Sequence, residues 1–218
     1  LAAILEHINQ TRAEHILTIE DPIEFTYKPV KSIIHQRQVN DDTRSFSNAL
    51  RAALREDPDV ILVGELRDLE TIQLAITAAE TGHLVFATLH TSSAAQTVDR
   101  MVDVFPAGQQ TQIRVQLSTS LVAVFAQTLC KRQHQGPGEH GRVLAQEIMI
   151  NTPATANLIR EAKTAQLYSQ IQTGGQLSMQ TLEKALANLV LSNQISLDTA
   201  LLKSSRPEEL KRLVSQLG

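Results

Sequence analysis

Three apolar segments of the sequence each end in a polar side chain that could do chemistry. Glu20 and Asp21 follow the first segment, Glu65 follows the second, and His90 closes the third. Runs of this length and composition are typical of buried strands, and such strands are usually parallel. Because the carboxyl ends of parallel strands meet at one edge of a sheet, where α/β folds bind their ligands, one site could hold all four side chains.

The second of these segments, residues 57–65, has the form of a Walker B strand. In that motif a buried apolar run delivers an acid to the sheet edge, where it can polarise a water molecule beside a γ-phosphate. Glu65 occupies the position of the acid, although an apolar run ending in Glu is common on its own. Gly64 stands where many such motifs have Asp, so a magnesium ion would have to be coordinated by other acids or by water.

Three acids around Pro22 are the candidates for that task. Glu20, Asp21 and Glu24 offer the carboxylate oxygens that Mg²⁺ prefers. The alternative is a solvated turn in which these acids only face water. Their spacing alone leaves both interpretations open.

Two histidines bracket the third segment. His83 and His90 are seven positions apart, which puts them at opposite ends of a strand and prevents them from binding one metal ion together. Zinc is therefore not expected. His90 is either a sensor of the γ-phosphate or of a neighbouring subunit, or an ordinary strand-end histidine. His83 follows Gly82 at the end of a predicted helix, where the helix dipole favours a partly charged imidazole.

The elements that must position these groups alternate between strand and helix. Apolar residues repeat at helical spacing between the strand segments, and Asp68 is placed to cap one of the helices. The pattern predicts strands at 15–19, 60–64 and 84–89, and helices at 1–8, 46–54, 69–80 and 106–122.

The second half of the sequence has a different pattern. Residues 125–131 and 143–150 predict a β-hairpin with a long tip at 133–141. Beyond Pro153 strand signals vanish, and four helices are expected at 154–163, 178–191, 196–203 and 207–217, with Pro207 in the first turn of the last. The sequence therefore predicts an α/β core followed by a small all-helical subdomain.

Composition excludes several classes of function. The net charge is −3 and the Lys and Arg residues are dispersed, so the basic surface of a nucleic-acid-binding protein is not expected. The single Cys130 favours a reducing compartment, and we expect the cytoplasm. No apolar run approaches the ~20 residues needed to span a bilayer. Because the sequence begins with Leu1 rather than Met, we expect the true N-terminus to lie upstream.

Four motifs resemble those of the secretion-superfamily ATPases in type and order. They are T-I-E-D-P-I-E-F at 18–25, L-R-A-A-L-R-E-D-P-D at 50–59, G-E-L-R-D at 64–68, and T-G-H at 81–83 with A-T-L-H-T at 87–91. Together they are similar to the Asp box, Walker B motif and His box of that superfamily. Further similarity to PilT-type retraction ATPases lies at 146–150, 157–161, 171–175 and 179–182. Extension motors and type II secretion ATPases commonly carry a four-cysteine zinc insertion, which a chain with one cysteine cannot form.

The resemblance implies a RecA-like P-loop NTPase core at 1–151, truncated at its N-terminus, and a helical subdomain at 152–218. It implies a hexameric ring that uses ATP and Mg²⁺ to retract type IV pili beneath the inner membrane, with a membrane platform protein as a partner. A second motor protein is an open alternative as a further partner. The implied catalytic residues are Glu65 as general base or water-orienting acid, Glu20 and Glu24 near magnesium and water, and the pair His83 and His90. Nucleotide contacts are implied for Asp21, Gly64 and Arg67, and magnesium contacts, direct or through water, for Glu20, Glu24 and Glu65.

The sequence departs from the family pattern in two places. No G-x-x-x-x-G-K-[ST] phosphate-binding loop occurs in the 218 residues, and the family places that loop immediately before the segment that matches 1–3. We therefore expect a truncated motor that does not hydrolyse ATP by itself. The second departure is A-T-A-N-L-I-R-E at 154–161, where Thr155 and Ala156 replace the Ile-Arg of retraction ATPases. Two alternatives remain: a non-hydrolysing or accessory ring subunit, and a pilus assembly or type II secretion ATPase.

Overall fold

The computed structural model of the protein describes residues 1–134, 136 and 140–217. The chain forms two compact units. The first contains Leu1–His90 and Asp103–Ser120, and the second contains Thr91–Val102 and the chain from Leu121 onward. None of the helices in the described part of the chain combines the length and the apolar character that a membrane span needs.

Ten α-helices and six strands are present among the described residues. The strands are β1 (His15–Glu20), β2 (Ile33–Gln38), β3 (Val60–Val63), β4 (Leu84–Ala87), β5 (Ala123–Lys131) and β6 (Arg142–Ile150). The helices are α1 (Ala2–Thr11), α2 (Phe46–Ala53), α3 (Leu69–Glu80), α4 (Ala94–Asp103), α5 (Ala107–Ser120), α6 (Pro153–Arg160), α7 (Leu167–Thr173), α8 (Leu182–Leu191), α9 (Leu197–Lys203) and α10 (Pro207–Leu217).

A four-stranded parallel sheet organises the first unit, in the order β2-β1-β3-β4. The three strands predicted from apolar runs are present as β1, β3 and β4. The prediction of burial holds for β1 and β3 but is wrong for β4, which lies at the edge of the sheet and has no fully buried residue. The edge strand β2 was not predicted, because its sequence I-I-H-Q-R-Q lacks the apolar run that marks a buried strand. The parallel arrangement brings the carboxyl ends of all four strands to one edge.

Helices cover both faces of this sheet because side chains of a strand alternate between its two faces. On one face, Ile16, Val60 and Leu62 pack against Leu5 and Ile8 of α1. On the other face α2 contacts β1, and α3 contacts β4. The predicted cap of α3 is confirmed: the carboxylate of Asp68 accepts a hydrogen bond from the backbone N–H of Thr71 at 2.9 Å.

The second unit is built on the antiparallel hairpin β5–β6. The hairpin itself was predicted, but as part of the α/β core rather than together with the C-terminal helices. The predicted tip at 133–141 falls partly on residues 135 and 137–139, which lie outside the described residues. All four predicted C-terminal helices are present as α6, α8, α9 and α10, whereas α4 and the short α7 were missed. Helices α7 and α8 contact β6, and α9 contacts β5.

Candidate active site

Glu65 is the centre of a cluster of charged side chains at the carboxyl edge of the parallel sheet. It lies two residues beyond the end of β3, and its two carboxylate oxygens have different partners. Oε2 is 2.5 Å from a guanidinium nitrogen of Arg67, and Oε1 is 3.0 Å from Nε2 of His90. The side chain of Glu65 is 18% exposed, while those of Arg67 and His90 are 60% and 85% exposed. A largely covered carboxylate is thus held by two side chains that reach into solvent.

The contact with Arg67 determines the charge state of Glu65. Its hydrogen bond, with smaller contributions from the charges of Arg67 and His90, lowers the pKa of Glu65 below its usual range, although partial burial opposes the shift. The ion pair in turn raises the pKa of Arg67, and the charge of the nearby Asp21 adds to this rise. Glu65 is therefore ionised at neutral pH and is a weak base.

We expect Arg67→Gln to raise the pKa of Glu65 toward its usual value. Because the pKa in the folded protein is lowered, the ion pair contributes stability above the unfolded pKa and loses that contribution as the pH falls through the folded pKa. The loss of unfolding free energy in Arg67→Gln should therefore be present at pH 7 and disappear in acid below both pKa values. Chemical unfolding across this pH range and a carbon-13 NMR titration of the Glu65 carboxyl group measure the two effects.

Arg51→Gln is the matched control, because Arg51 is about as exposed as Arg67 and forms an ion pair with a different carboxylate, that of Glu70. This control should leave the Glu65 titration unchanged. An unaltered Glu65 titration in Arg67→Gln would show that the ion pair does not set the charge state of this carboxylate.

Gly64 has a steric reason to be glycine. A Cβ atom built on it would lie 3.1 Å from the carbonyl oxygen of Ile19 and 3.3 Å from Cα of Glu20, both backbone atoms of β1. The N–H of Gly64 donates to the same carbonyl at 2.7 Å. The Asp that many Walker B motifs carry at this position would therefore require the backbone of β1 to move by a few tenths of an ångström.

Glu20 lies at the same edge, at the end of β1, but its carboxylate faces protein groups. Its side chain is buried, and Oε1 accepts hydrogen bonds from the hydroxyl of Thr18 at 2.7 Å and from the amide of Gln36 at 3.3 Å. Both donors are neutral, and together they satisfy one oxygen of the buried carboxylate, Oε1.

The segment that follows β1 carries Asp21 and Glu24 and is held by side chains of β2. The Gln36 amide accepts from the N–H of Tyr27 at 3.0 Å and donates to the carbonyl of Phe25 at 2.7 Å. The side-chain oxygen of Gln38 accepts from the N–H of Ile23 at 2.9 Å. Asp21 and Glu24 remain exposed.

His83 lies at the opposite end of β4 from His90, as predicted. Its Nδ1 is 2.9 Å from the carbonyl oxygen of Ala78 and 3.2 Å from the hydroxyl of Thr81. These contacts cap the carboxyl end of α3, where carbonyl groups lack partners within the helix. The structure thus brings His90, but not His83, to Glu65.

Comparison with known proteins assigns the chain to a family. The family model described as type II/IV secretion system protein matches residues 1–200. The chain belongs to this type II/IV secretion system protein family.

Two curated relatives and one solved structure place the chain within the family. It is 60% identical over 208 residues to the type IV pilus retraction ATPase PilT of Pseudomonas aeruginosa, covering 95% of the chain and 59% of PilT. It is 55% identical over 210 residues to a twitching motility protein of Neisseria gonorrhoeae, covering 96% of the chain and 55% of that protein. The crystal structure of the pilus retraction motor PilT with bound ADP is 50% identical, with a TM-score of 0.88 over 97% of the chain and 58% of PilT.

These comparisons confirm the predicted fold class and the resemblance to PilT-type proteins. The chain spans a little more than half the length of these relatives.

The acids predicted to contact magnesium differ in how accessible their carboxylates are. Across residues 1–134, 136 and 140–217, no group of three or more His, Cys, Asp or Glu side chains is placed to hold a metal ion. Glu65 is paired, Glu20 is covered and Glu24 faces solvent. The residues fit Mg²⁺ bound mainly through water and phosphate oxygens, because this ion usually retains several waters and needs only one or two carboxylates.

Sequence reasoning about this secretion-ATPase chain missed the residues that hold the acids in place. Thr18 and Gln36 are ordinary polar residues in strands, and neither belongs to the chemically active types. Period-two alternation would have placed Gln36 and Gln38 on one face of β2, but only if β2 had been predicted as a strand. Their hydrogen bonds join residues separated by up to sixteen positions, which the local sequence does not indicate.

Proposed function

We propose that the protein containing this chain is a ring-forming ATPase that powers retraction of type IV pili. The observation that carries the proposal is the Glu65 carboxylate, paired with His90 and Arg67 at the carboxyl edge of the parallel sheet. The likeness to PilT supports the direction of movement, since PilT is a pilus retraction ATPase. ATP and Mg²⁺ are the proposed substrate and ion, and the ADP bound to the solved PilT supports a nucleotide site.

Glu65 is proposed to orient the attacking water rather than to remove a proton from it before the attack. A carboxylate with a lowered pKa is a weak base but a constant hydrogen-bond acceptor at neutral pH. Phosphoryl transfer depends mostly on positioning and charge stabilisation, so such an acceptor suffices. ATP supplies the γ-phosphoryl group that the water attacks.

Arg67 and His90 are proposed to move from Glu65 to the nucleotide. Both side chains are mostly exposed, and together they occupy both carboxylate oxygens of Glu65. When their positive or donor groups turn toward phosphate oxygens, the carboxylate oxygens that they occupied become free for water. Asp21 and Glu24, exposed on the neighbouring segment, are proposed to contact the hydration shell of Mg²⁺ together with Glu20.

The remaining parts of the proposal concern assembly and location. We propose a ring of six copies in the cytoplasm, attached to the inner membrane through a platform protein of the pilus machinery. The proposed division into an ATPase core at 1–151 and a helical subdomain at 152–218 differs from the two compact units, because the hairpin β5–β6 packs with the C-terminal helices. The family likeness supports a ring, and the platform protein is proposed from the retraction function alone.

An accessory ring subunit is the second candidate, and residues 155–156 favour it. Thr155 is buried and caps α6 through hydrogen bonds between its side chain and Thr152. Ala156 replaces the Arg that the retraction ATPases carry in this motif, which removes a cation from the helix. An accessory subunit would retain the ring-forming surface but would act with a second, hydrolysing motor.

Deletion of the gene tests the direction of movement. We expect the deletion strain to carry more surface pili than wild type and to lose twitching motility, because extension continues while retraction stops. Electron microscopy and a twitching assay measure these outcomes, and the wild-type gene on a plasmid is the control. Loss of all pili would indicate an extension motor, and unchanged pili with unchanged twitching would contradict the proposal.

A further inference from the structure

We propose that Thr88 is a positioning residue that holds Glu65 in place from the neighbouring strand. The proposal rests on the proposed function, because it requires Glu65 to orient the attacking water. Thr88 belongs to neither the charged cluster nor the segment that carries the acids. It is the first residue after β4, and its side chain is exposed.

Thr88 contacts the backbone on both sides of Glu65. Its hydroxyl donates a hydrogen bond to the carbonyl oxygen of Gly64. Its own carbonyl oxygen accepts a hydrogen bond from the N–H of Leu66 at 3.0 Å. One residue therefore anchors both peptide neighbours of Glu65, one through its side chain and the other through its main chain.

These two hydrogen bonds hold the chain after β3 to the chain after β4, beyond the last paired residues of the two strands. The last paired residues of β3 and β4 are Val63 and Ala87, so Gly64 and Thr88 are the next two positions in register. Without further pairing, the backbone at Glu65 would be free to rotate like a loop. Anchoring of both neighbours restricts that rotation and limits the directions in which the carboxylate can point.

The same residue also links the backbone at Glu65 to the backbone that carries His90. His90 is two residues beyond Thr88, and its Nε2 lies 3.0 Å from Oε1 of Glu65. The backbone of Thr88 is thus a short link between the two side chains of the proposed site. A catalytic group misplaced by about 1 Å loses up to a hundredfold in rate, so a modest rotation at Glu65 is enough to matter.

Two substitutions separate the hydroxyl from the shape of the side chain. Thr88→Val keeps the branched shape and removes the donor to the Gly64 carbonyl. Thr88→Ser keeps the donor and removes a methyl group. Thr77→Val is the matched control, since the hydroxyl of Thr77 bonds only to the carbonyl of Gln73 within its own helix α3 among the contacts described.

The first test needs no ATP hydrolysis and uses the 218-residue chain. A carbon-13 NMR titration follows the Glu65 carboxyl group in each variant. We expect Thr88→Val to bring this titration closer to that of an ordinary glutamate, because a mobile carboxylate meets Arg67 and His90 less often. Thr88→Ser and Thr77→Val should titrate as wild type. An identical titration in Thr88→Val would overturn the proposal.

The second test measures hydrolysis by the complete protein. We expect Thr88→Val to lower kcat about tenfold or more while KM for ATP stays within about twofold, and Thr88→Ser to restore most of kcat. Equal losses in the Ser and Val variants, or a change confined to KM, would contradict a positioning role. If Thr88→Val does not fold, Thr88→Ala removes the same donor and is judged by the same criteria.

The proposal and the function on which it rests fail in different ways. Normal hydrolysis by Glu65→Gln would refute the role of Glu65, whatever the titration of Thr88→Val gives. An inactive Glu65→Gln combined with a fully active Thr88→Val would refute only the positioning role.

Discussion

Glu65→Gln in the complete protein is expected to hydrolyse ATP about a hundredfold to a thousandfold more slowly than wild type. Glutamine has the size of glutamate but lacks the charge, and its amide nitrogen cannot accept from Arg67 or His90. Electrostatic groups aimed at the reacting centre contribute more to the transition state than to the bound ground state. Binding of ATP, followed with a fluorescent analogue, should therefore change by no more than about twofold.

Glu70→Gln is the matched control for this experiment. Glu70 lies in the first turn of α3 and forms an exposed ion pair with Arg51, away from the Glu65 cluster. It should retain the wild-type rate. Hydrolysis by Glu65→Gln at the wild-type rate would remove Glu65 from the mechanism, and equal losses in both variants would indicate a general effect of lost surface charge.

Gly174→Ala is expected to cost about 1–3 kcal/mol of unfolding free energy through overpacking in the second unit. A Cβ atom at this position would lie 2.6 Å from the sulfur and 3.0 Å from Cγ of Met179, and 3.0 Å from the carbonyl oxygen of Gln170. Met179 is only 4% exposed, so its side chain has little room to move away. Chemical unfolding of the 218-residue chain measures the loss, and a fall in Tm of about 2–4 °C per kcal/mol accompanies it in a chain of this size.

Gly175→Ala is the control one residue away. A Cβ atom there would have no heavy atom of the described residues within 4 Å. Both substitutions reduce the freedom of the unfolded chain in the same way, so the difference between them isolates the steric term. Combining Gly174→Ala with Met179→Ala should cost less than the sum of the two single losses, because the clash is relieved. Equal stability of Gly174→Ala and Gly175→Ala would contradict the steric argument.

The meeting of Glu65 and His90 at one edge of the sheet could be predicted from the sequence. Glu65 and His90 each follow an apolar run, and a run of that kind identifies a buried strand and the polar residue at its end. The parallel direction of those strands then predicts that the two ends meet, and the 3.0 Å contact between Glu65 and His90 confirms it. Burial of apolar side chains is a property of each short segment, so the sequence contains it directly.

The histidines show where such reasoning stops. From sequence, His83 and His90 were equivalent members of one motif. Only the fold assigns His83 to the carbonyl groups at the end of α3 and His90 to the Glu65 carboxylate. The direction of a side chain depends on the packing of elements that are distant in sequence.

The sequence alone therefore determined the α/β class, the main strands of the first unit, the hairpin and most helices, and the edge at which the acids gather. Tertiary structure decided the pairing of β2 as an edge strand, the hydrogen bonds from Thr88 to both neighbours of Glu65, and the close approach of β1 to Gly64. The physical reason is the range of the interactions. Apolar burial and helix capping act within a few residues, whereas polar side chains such as Gln36 acquire their partners only after distant strands have been placed side by side.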